Sequence, residues 1–216
     1  MIYPQPRLLP VGDTAILIEF ADEINDAINE RVHVLADMLR GRAEIRDLVP
    51  AYASLLVCYH PRRAPFVEMC ALLHDALATL RTDTQRAARL IEIPTRYGGA
   101  WGLDLAFVAQ SRQLTEDAVI RWHTSVVYRV YFIGFLPGFA YLGSVPEQIA
   151  VPRLETPRAR VPAGSVGIAG RQTGIYPMES PGGWRIIGRT DVSLFDVTRE
   201  PPTLLQPGDR VRFVAI

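Results

Sequence analysis

Polar side chains that could bind or activate a ligand concentrate in a glycine- and proline-rich segment, residues 134–188. This segment holds ten of the sixteen glycines and seven of the seventeen prolines, and its only acidic residues are Glu147, Glu155 and Glu179. Glycine is used where φ must be positive or where a ligand approaches the main chain. The segment therefore predicts a binding surface, although the turns of a small β-barrel also use glycine and proline.

Two residues could move a proton. His123 lies late on a predicted helix that leads into this segment, where it could act as a general base or donate a hydrogen bond to a ligand. A packing histidine beside Trp122 is the alternative. Glu179 precedes the tight turn at 181–183 and could act as an acid, a base or an arginine anchor, or it could form a salt bridge across a barrel.

The composition of the segment favours an anionic ligand. Arginine side chains and main-chain amides bind carboxylates and phosphates, and few carboxylates compete with a ligand there. The polar side chains available for such a site are Arg158, Arg160, Ser165, Gln172, Thr173, Tyr176, Ser180, Arg185 and Arg189.

Several function classes are disfavoured by what the sequence lacks. All 23 basic side chains are arginines, so no lysine can form a Schiff base or make the phosphate contact of a P-loop. The net charge of zero does not favour a nucleic-acid partner. Cys58 and Cys70 have neither CxxC spacing nor a histidine at ligand spacing, so we expect two buried free thiols and no metal site.

The length and hydropathy of the chain indicate a soluble globular protein. Its 216 residues, 49% of them hydrophobic, can form one large core or two small ones. No apolar run reaches the ~20 residues that span a bilayer, and the N-terminus lacks the basic-then-apolar pattern of a signal peptide. We therefore expect a cytoplasmic location and no membrane partner.

The first part of the chain alternates strands and helices. Apolar periodicity predicts one helix at 24–39, which ends at Gly41, and a second helix that begins at Pro65. Strands are predicted at 14–20, 45–49, 54–59 and 89–95. This β-α-β-β-α-β order is typical of the split βαβ fold, which lays two helices on one face of an antiparallel sheet.

The rest of the chain is predicted to be mostly β. One helix begins at the N-cap Thr115 and runs to about residue 125. Short strands separated by Gly/Pro turns follow at 128–135, 165–169, 173–176, 184–189, 193–197 and 210–216, as in a barrel or sandwich. We therefore predict an α+β protein with domains at 1–88 and 89–216, and the polar stretch 82–88 as a loop or linker.

A long set of motifs resembles one bacterial family. The motifs are YFIGFLPGF at 131–139, YLG at 141–143, TPR at 156–158, VPAGSVGIAG at 161–170, QTGIYP at 172–177 and SPGGW at 180–184. They resemble the B subunit of the bacterial ATP-dependent 5-oxoprolinase, also described as allophanate hydrolase subunit 1 and as the Kip-type inhibitor of a sporulation histidine kinase. The likeness covers essentially the whole chain, with small departures at His60 and Ala140.

This resemblance implies a βαββαβ-like N-terminal domain followed by a cyclophilin-like β-barrel. It also implies two partners, the C subunit with a related barrel and the A subunit that hydrolyses an activated intermediate. Together the subunits would open 5-oxoproline to glutamate with consumption of ATP, and magnesium would arrive with the nucleotide.

The same resemblance suggests roles for the candidate side chains. We expect Arg160 and Arg189 to hold a carboxylate or phosphate, main-chain amides around residues 164–170 to stabilise oxyanion charge, and His123 or Glu179 to move a proton. The expected catalytic residues are His123, Arg160 and Glu179, and the expected substrate-binding residues are Ser165, Gln172, Thr173, Tyr176 and Arg189.

Two alternatives remain open at the level of sequence. The chain could be a non-catalytic regulatory protein that binds and inhibits a sensor histidine kinase, because the same family description covers that function. A role in urea or allophanate breakdown would require a biotin carboxylase or amidase partner, and the sequence shows neither.

Overall fold

The computed structural model describes residues 1–81 and 88–216 of the chain. The protein divides into two compact units, Met1–Arg86 and Ala87–Ile216. The polar stretch predicted as a loop or linker falls, except for Ala88, on residues 82–87, which lie outside the described residues.

The first unit is an antiparallel sheet packed against two helices. The elements are β1 (Ile2–Val11), β2 (Ala15–Ala21), α1 (Asp26–Leu39), β3 (Ile45–Pro50), β4 (Ser54–Tyr59) and α2 (Phe66–Thr79). The sheet order is β1-β2-β4-β3. Apolar side chains from the inner face of the sheet and from both helices share one core, which includes Ile18, Leu35, Leu55, Met69 and Leu73.

Local sequence signals fix the ends of these helices. The Asn25 side chain caps α1 by accepting hydrogen bonds from the amides of Ala27 and Ile28 at 2.9 and 3.1 Å. Gly41 follows α1 with φ +80°, in agreement with the predicted end of that helix. Pro65 directly precedes α2, as predicted. None of the described helices has the length and hydropathy that a bilayer crossing requires.

The edge of the first sheet differs from the prediction. Strand β1 pairs with β2 at the edge, and the predicted closing strand of this unit lies elsewhere, in β5 (Leu90–Tyr97) of the second unit. The sequence of β1 contains Pro4, Pro6 and Pro10, which argue against a central strand. Because β1 has a neighbour on one side only, the missing N–H groups can face outwards, and an edge strand tolerates them.

In the described part of the chain, the second unit is a closed seven-stranded barrel with two α-helices and a short 3-10 helix (Glu147–Ile149), which confirms the predicted α+β class. After β5 follow α3 (Leu105–Ser111), α4 (Glu116–Thr124), β6 (Val127–Ile133), β7 (Ala140–Gly143), β8 (Arg158–Val161), β9 (Ser165–Ala169), β10 (Gln172–Ile175), β11 (Ser180–Gly182), β12 (Arg185–Arg189) and β13 (Arg210–Ala215). The order around the barrel is β10-β7-β6-β13-β5-β12-β9. Strands β8 and β11 form a separate two-stranded ribbon.

Most of the predicted elements of this unit agree with the structure, and one does not. Thr115 caps α4 as expected, since its side chain accepts a hydrogen bond from the amide of Ala118 at 3.2 Å. The strand predicted at 193–197 is wrong, because only the single bridge between Phe195 and Thr203 forms there. The side chain of Asp196 instead accepts hydrogen bonds from Thr198 and closes a turn. Helix α3 and strands β7, β8 and β11 were not predicted.

The turn that precedes β9 packs closely against Thr190, the residue that follows β12. Gly164 has φ +79°, its amide donates to the carbonyl of Tyr176 at 2.7 Å, and its carbonyl accepts from the amide of Thr190 at 2.9 Å. A Cβ at this position would lie far inside van der Waals contact with the carbonyl oxygen of Thr190. Gly170 shares the positive φ, at +59°, but a Cβ there would meet nothing within 4 Å.

We therefore expect Gly164→Ala to lower the free energy of unfolding by about 2 kcal/mol more than Gly170→Ala, because steric overlap adds to the backbone strain that both share. Urea denaturation of the two variants measures this difference. Equal losses would show that the turn can move away from β12 without cost.

Candidate functional site

The barrel interior contains a buried polar network around His123. The imidazole Nδ1 lies 2.8 Å from the Tyr97 hydroxyl, and Nε2 lies 3.0 Å from Oγ1 of Thr173. Thr173 in turn donates to the carbonyl of Gly167 at 3.0 Å. The imidazole also packs against the ring of Phe213, with centroids 4.5 Å apart. Helix α4 and strands β5 and β10 position this network.

This environment keeps His123 neutral. The side chain has no exposed surface, and burial lowers the pKa of His123 to about 3. Burial also raises the pKa of Tyr97 and of Tyr128, whose hydroxyl donates to the carbonyl of His123 at 2.8 Å. His123 and Thr173 therefore belong to the packed interior, which corrects their assignment to a ligand-facing surface and agrees with the alternative of a packing histidine.

Arg160 and Glu179 form a bidentate ion pair on the β8–β11 ribbon. The guanidinium Nε and Nη2 lie 3.0 and 2.8 Å from the two carboxylate oxygens. The Arg160 side chain is 77% exposed, so the pair is solvated and contributes little to stability. Glu179 is thus paired with Arg160 in the structure.

A second arginine lies beside several of the predicted residues. Arg189, at the end of β12, pairs in register with Ser165 of β9. Its Nε donates to the carbonyl of Ala163 at 2.8 Å, and its guanidinium lies 5.6 Å from the centroid of the Trp101 ring. Among the described residues, no carboxylate forms an ion pair with Arg189. Its two Nη groups are therefore available to an anion.

Tyr176 and Gln172 lie at opposite ends of this part of the barrel. The amide of Tyr176 donates to the carbonyl of Ser165 at 2.9 Å, so Tyr176 belongs to the neighbourhood of Arg189. Gln172 pairs with Ala169 at the other end of the β9–β10 hairpin, roughly 13 Å along the strand from Ser165. The structure therefore groups Ser165, Tyr176 and Arg189, and it places Gln172 outside that group.

An aromatic cluster supports the outer side of the barrel near Tyr176. The rings of Phe139 and Tyr176 are nearly perpendicular, at 83°, with centroids 5.3 Å apart. Phe139 makes a similar contact with Trp184 at 5.5 Å. Burial raises the pKa of the Tyr176 hydroxyl. These rings form a small core of their own, with Val161, Ala169 and Ile186.

Asp104 is a structural residue that the sequence analysis missed. Its carboxylate receives two hydrogen bonds from Arg158 at 2.9 and 2.8 Å and one from the amide of Ile186 at 2.7 Å. Asp104 is buried, and it connects the start of α3 to the β8–β11 ribbon and to β12. An isolated aspartate outside the glycine-rich segment gave no sequence signal for this contact.

The first unit contains a groove between α1 and α2, with a volume of ≈ 490 Å³. None of the predicted site residues lines it. Its lining residues are Met38, Arg42, Glu68, Ala71, Leu72, Asp75, Ala76 and Thr79.

Comparisons with a family model and with curated proteins identify related families for this chain. The family model described as "Carboxyltransferase domain, subdomain C and D" matches residues 6–205. The chain is 45% identical to the B subunit of 5-oxoprolinase from Escherichia coli O157:H7, with 96% of this chain and 95% of the relative covered. It is 42% identical to the protein of the same name in Bacillus subtilis, with 95% and 91% covered, and 40% identical to that of Haemophilus influenzae, with 96% and 97% covered.

Solved structures share the fold. TTHA0988 matches with a TM-score of 0.82 and 41% identity over 94% of this chain, which spans 40% of the TTHA0988 chain. PH0987 from Pyrococcus horikoshii is 52% identical over 97% of both chains, with a TM-score of 0.59. The K. lactis urea amidolyase superposes with a TM-score of 0.83 over the whole chain, but at 19% identity this likeness concerns the fold alone.

The neutral state of His123 predicts how stability depends on pH. An unfolded chain protonates this histidine below its usual pKa of about 6.5, whereas the folded protein does so only near pH 3. The stability that this difference in pKa contributes is fully present above pH 6.5. It is lost as the pH falls towards 3, at up to about 1.4 kcal/mol per pH unit.

We therefore expect the free energy of unfolding to fall more steeply with decreasing pH in the wild type than in His123→Gln, measured by urea denaturation between pH 4.5 and 7.5. The exposed His74 provides the control, and His74→Gln should retain the wild-type slope. Parallel curves for the wild type and His123→Gln would contradict the buried, neutral histidine.

Proposed function

The chain belongs to the 5-oxoprolinase B-subunit family, within the carboxyltransferase subdomain C and D group, and we propose that it is the B subunit of an ATP-dependent 5-oxoprolinase. In this proposal it acts with a homologue of the C subunit to phosphorylate 5-oxoproline. A homologue of the A subunit then hydrolyses the activated product to glutamate. The observation that carries the proposal is the 40–45% identity to three proteins named as the B subunit of 5-oxoprolinase, over nearly their whole length.

The chemistry of the substrate explains why activation is needed. A lactam carbonyl is a poor electrophile because the ring nitrogen donates electron density to it. Transfer of the γ-phosphoryl group of ATP to the carbonyl oxygen forms an O–P bond and releases ADP. Water adds to the activated carbon, and cleavage of the ring C–N bond opens the lactam to an acyl phosphate of glutamate. A second water then displaces phosphate from this acyl phosphate. In this proposal ATP, with magnesium as part of the nucleotide complex, is a co-substrate.

Arg189 is the side chain best placed to bind an anionic group of the substrate or nucleotide. Its Nε is held by the carbonyl of Ala163, which fixes the guanidinium plane, and its Nη groups have no carboxylate partner among the described residues. Charge-assisted hydrogen bonds from a fixed guanidinium are strong and directional. Ser165, which pairs with Arg189 on the neighbouring strand, is itself buried, so its hydroxyl is given no ligand contact in this proposal.

Arg160 is the second candidate for the anion. Its guanidinium already donates two hydrogen bonds to Glu179, so a ligand would have to compete with this carboxylate. We therefore place Arg189 first and Arg160 second. Neither His123 nor Thr173 has a role in contacting the ligand in this proposal, because both are buried in the barrel.

Reconstitution tests the function directly. The protein is mixed with homologues of the C and A subunits, and glutamate formation is measured with ATP and 5-oxoproline present. We expect turnover with all three chains, and none when this chain, ATP or 5-oxoproline is omitted. The absence of turnover from three folded chains would contradict the proposal.

Two arginine variants test the site within that assay. We expect Arg189→Gln to raise the KM for 5-oxoproline or for ATP at least ~10-fold, because a charge-assisted hydrogen bond is lost. Arg160→Gln should have a smaller effect, since its guanidinium is already engaged by Glu179. Thermal unfolding of each variant serves as the control for folding. If Arg189→Gln leaves both KM values unchanged, Arg189 is not the anion-binding group.

A further inference from the structure

Two arginines lie directly opposite each other on neighbouring strands of the barrel. Arg96 of β5 pairs in register with Arg189 of β12. Side chains that are directly opposite in an antiparallel pair project from the same face of the sheet, with Cβ atoms about 5 Å apart. Like charges in this arrangement are unfavourable. The fold therefore concentrates positive charge at this place, and an anion beside it is favoured.

One indole ring contacts both guanidinium groups. The guanidinium carbons of Arg96 and Arg189 each lie 5.6 Å from the centroid of the Trp101 ring, within the range of a cation–π contact. Trp101 is itself fixed, because its amide donates to the carbonyl of Gly98 at 2.9 Å and the amide of Gly98 donates to the carbonyl of Ile187 on β12 at 3.1 Å. The ring therefore restricts the positions that both arginine side chains can take.

The two guanidinium groups share a single carboxylate. Asp191 accepts a hydrogen bond from Arg96, whereas Nε of Arg189 donates to the carbonyl of Ala163. The Asp191 side chain is 71% exposed, so its ion pair with Arg96 is solvated and contributes little to stability. A ligand with more negative charge than one carboxylate can therefore displace Asp191.

We propose that Arg96 and Arg189 together bind a phosphoryl group of ATP, that Trp101 positions both guanidinium groups, and that Asp191 holds Arg96 until the phosphoryl group displaces it. This inference rests on the proposed function, which supplies ATP as the co-substrate. It adds Arg96 to the site, and it assigns Arg189 to the nucleotide instead of to 5-oxoproline.

A phosphoryl group matches this arrangement better than the carboxylate of 5-oxoproline does. A carboxylate has one charge and two oxygens, which a single guanidinium can satisfy in a bidentate pair, as Arg160 and Glu179 show. A terminal phosphate has three oxygens and close to two negative charges. Two guanidinium groups can therefore bind it at the same time, and the second one favours phosphate over carboxylate.

Titration calorimetry on the full chain tests the site, with magnesium ATP and inorganic phosphate as separate ligands. We expect Arg96→Gln to weaken the binding of magnesium ATP at least ~10-fold, because a charge-assisted contact is lost. Asp191→Asn should strengthen this binding ~3-fold, since the competing carboxylate is removed. If inorganic phosphate alone shows this pattern, the site binds free phosphate and the assignment to the nucleotide is wrong.

A second exposed ion pair on the barrel provides matched controls. Nη1 of Arg212 on β13 lies 3.4 Å from Oε1 of Glu92 on β5. The Arg212 side chain is 45% exposed, against 40% for Arg96. Arg212→Gln and Glu92→Gln should bind magnesium ATP like the wild type. An equal loss in Arg212→Gln would overturn the inference, because the effect would then reflect net charge alone. Circular dichroism checks that each variant is folded.

The outcomes separate this inference from the proposed function. If the wild type does not bind magnesium ATP, or if Arg96→Gln binds it equally well, the two-arginine site is wrong, whereas turnover by the three reconstituted chains still decides the proposed function. In that assay Arg96→Gln should raise the KM for ATP and leave the KM for 5-oxoproline unchanged. A rise in the KM for 5-oxoproline alone would assign the arginines to the carboxylate and overturn the inference.

Discussion

Closure of the barrel is the constraint on which the second unit depends, and strand β5 provides it. A closed sheet has no free edge, so every strand must find two neighbours. Strand β5 pairs in parallel with the C-terminal strand β13 along six residues and in antiparallel fashion with β12. Its inward side chains, Ile93, Thr95 and Tyr97, then help to fill the interior. Without β5, β12 and β13 would each have an unpaired edge.

The closed barrel places polar side chains that the sequence predicts for one site in different environments. His123 and Thr173 lie inside, where each donor or acceptor needs a partner because both side chains are buried, and the network with Tyr97 supplies those partners. Arg189 lies outside, braced by a carbonyl and an aromatic ring but without a carboxylate. An interior hydroxyl and imidazole stabilise the fold, whereas the exterior guanidinium retains the capacity to bind a ligand.

Outside the barrel interior, buried contacts hold the β8–β11 ribbon and the loop between β6 and β7 in place. The pair of Asp104 and Arg158 connects α3 to the β8–β11 ribbon, and a buried bidentate pair of this kind is costly to break because one charge would remain uncompensated. The aromatic cluster around Phe139 supports the loop that carries Phe135. Preorganisation of this kind lowers the entropy that binding must overcome.

Short-range rules were enough to predict the capping by Thr115 and the end of the first helix at Gly41, because the groups involved are close in the chain. The motif series was sufficient to identify the family, which the comparisons confirm. Strand partners could not be predicted in this way. Periodicity cannot distinguish a strand that closes the first sheet from one that closes the barrel. The predicted β-α-β-β-α-β order therefore counts residues 89–95 with the first sheet, although the predicted domain boundary places them in the second domain, where the structure has them. His123 is part of the interior because the fold brings it next to Thr173, which is 50 residues away in the chain. A local sequence pattern contains no information about a contact over that distance.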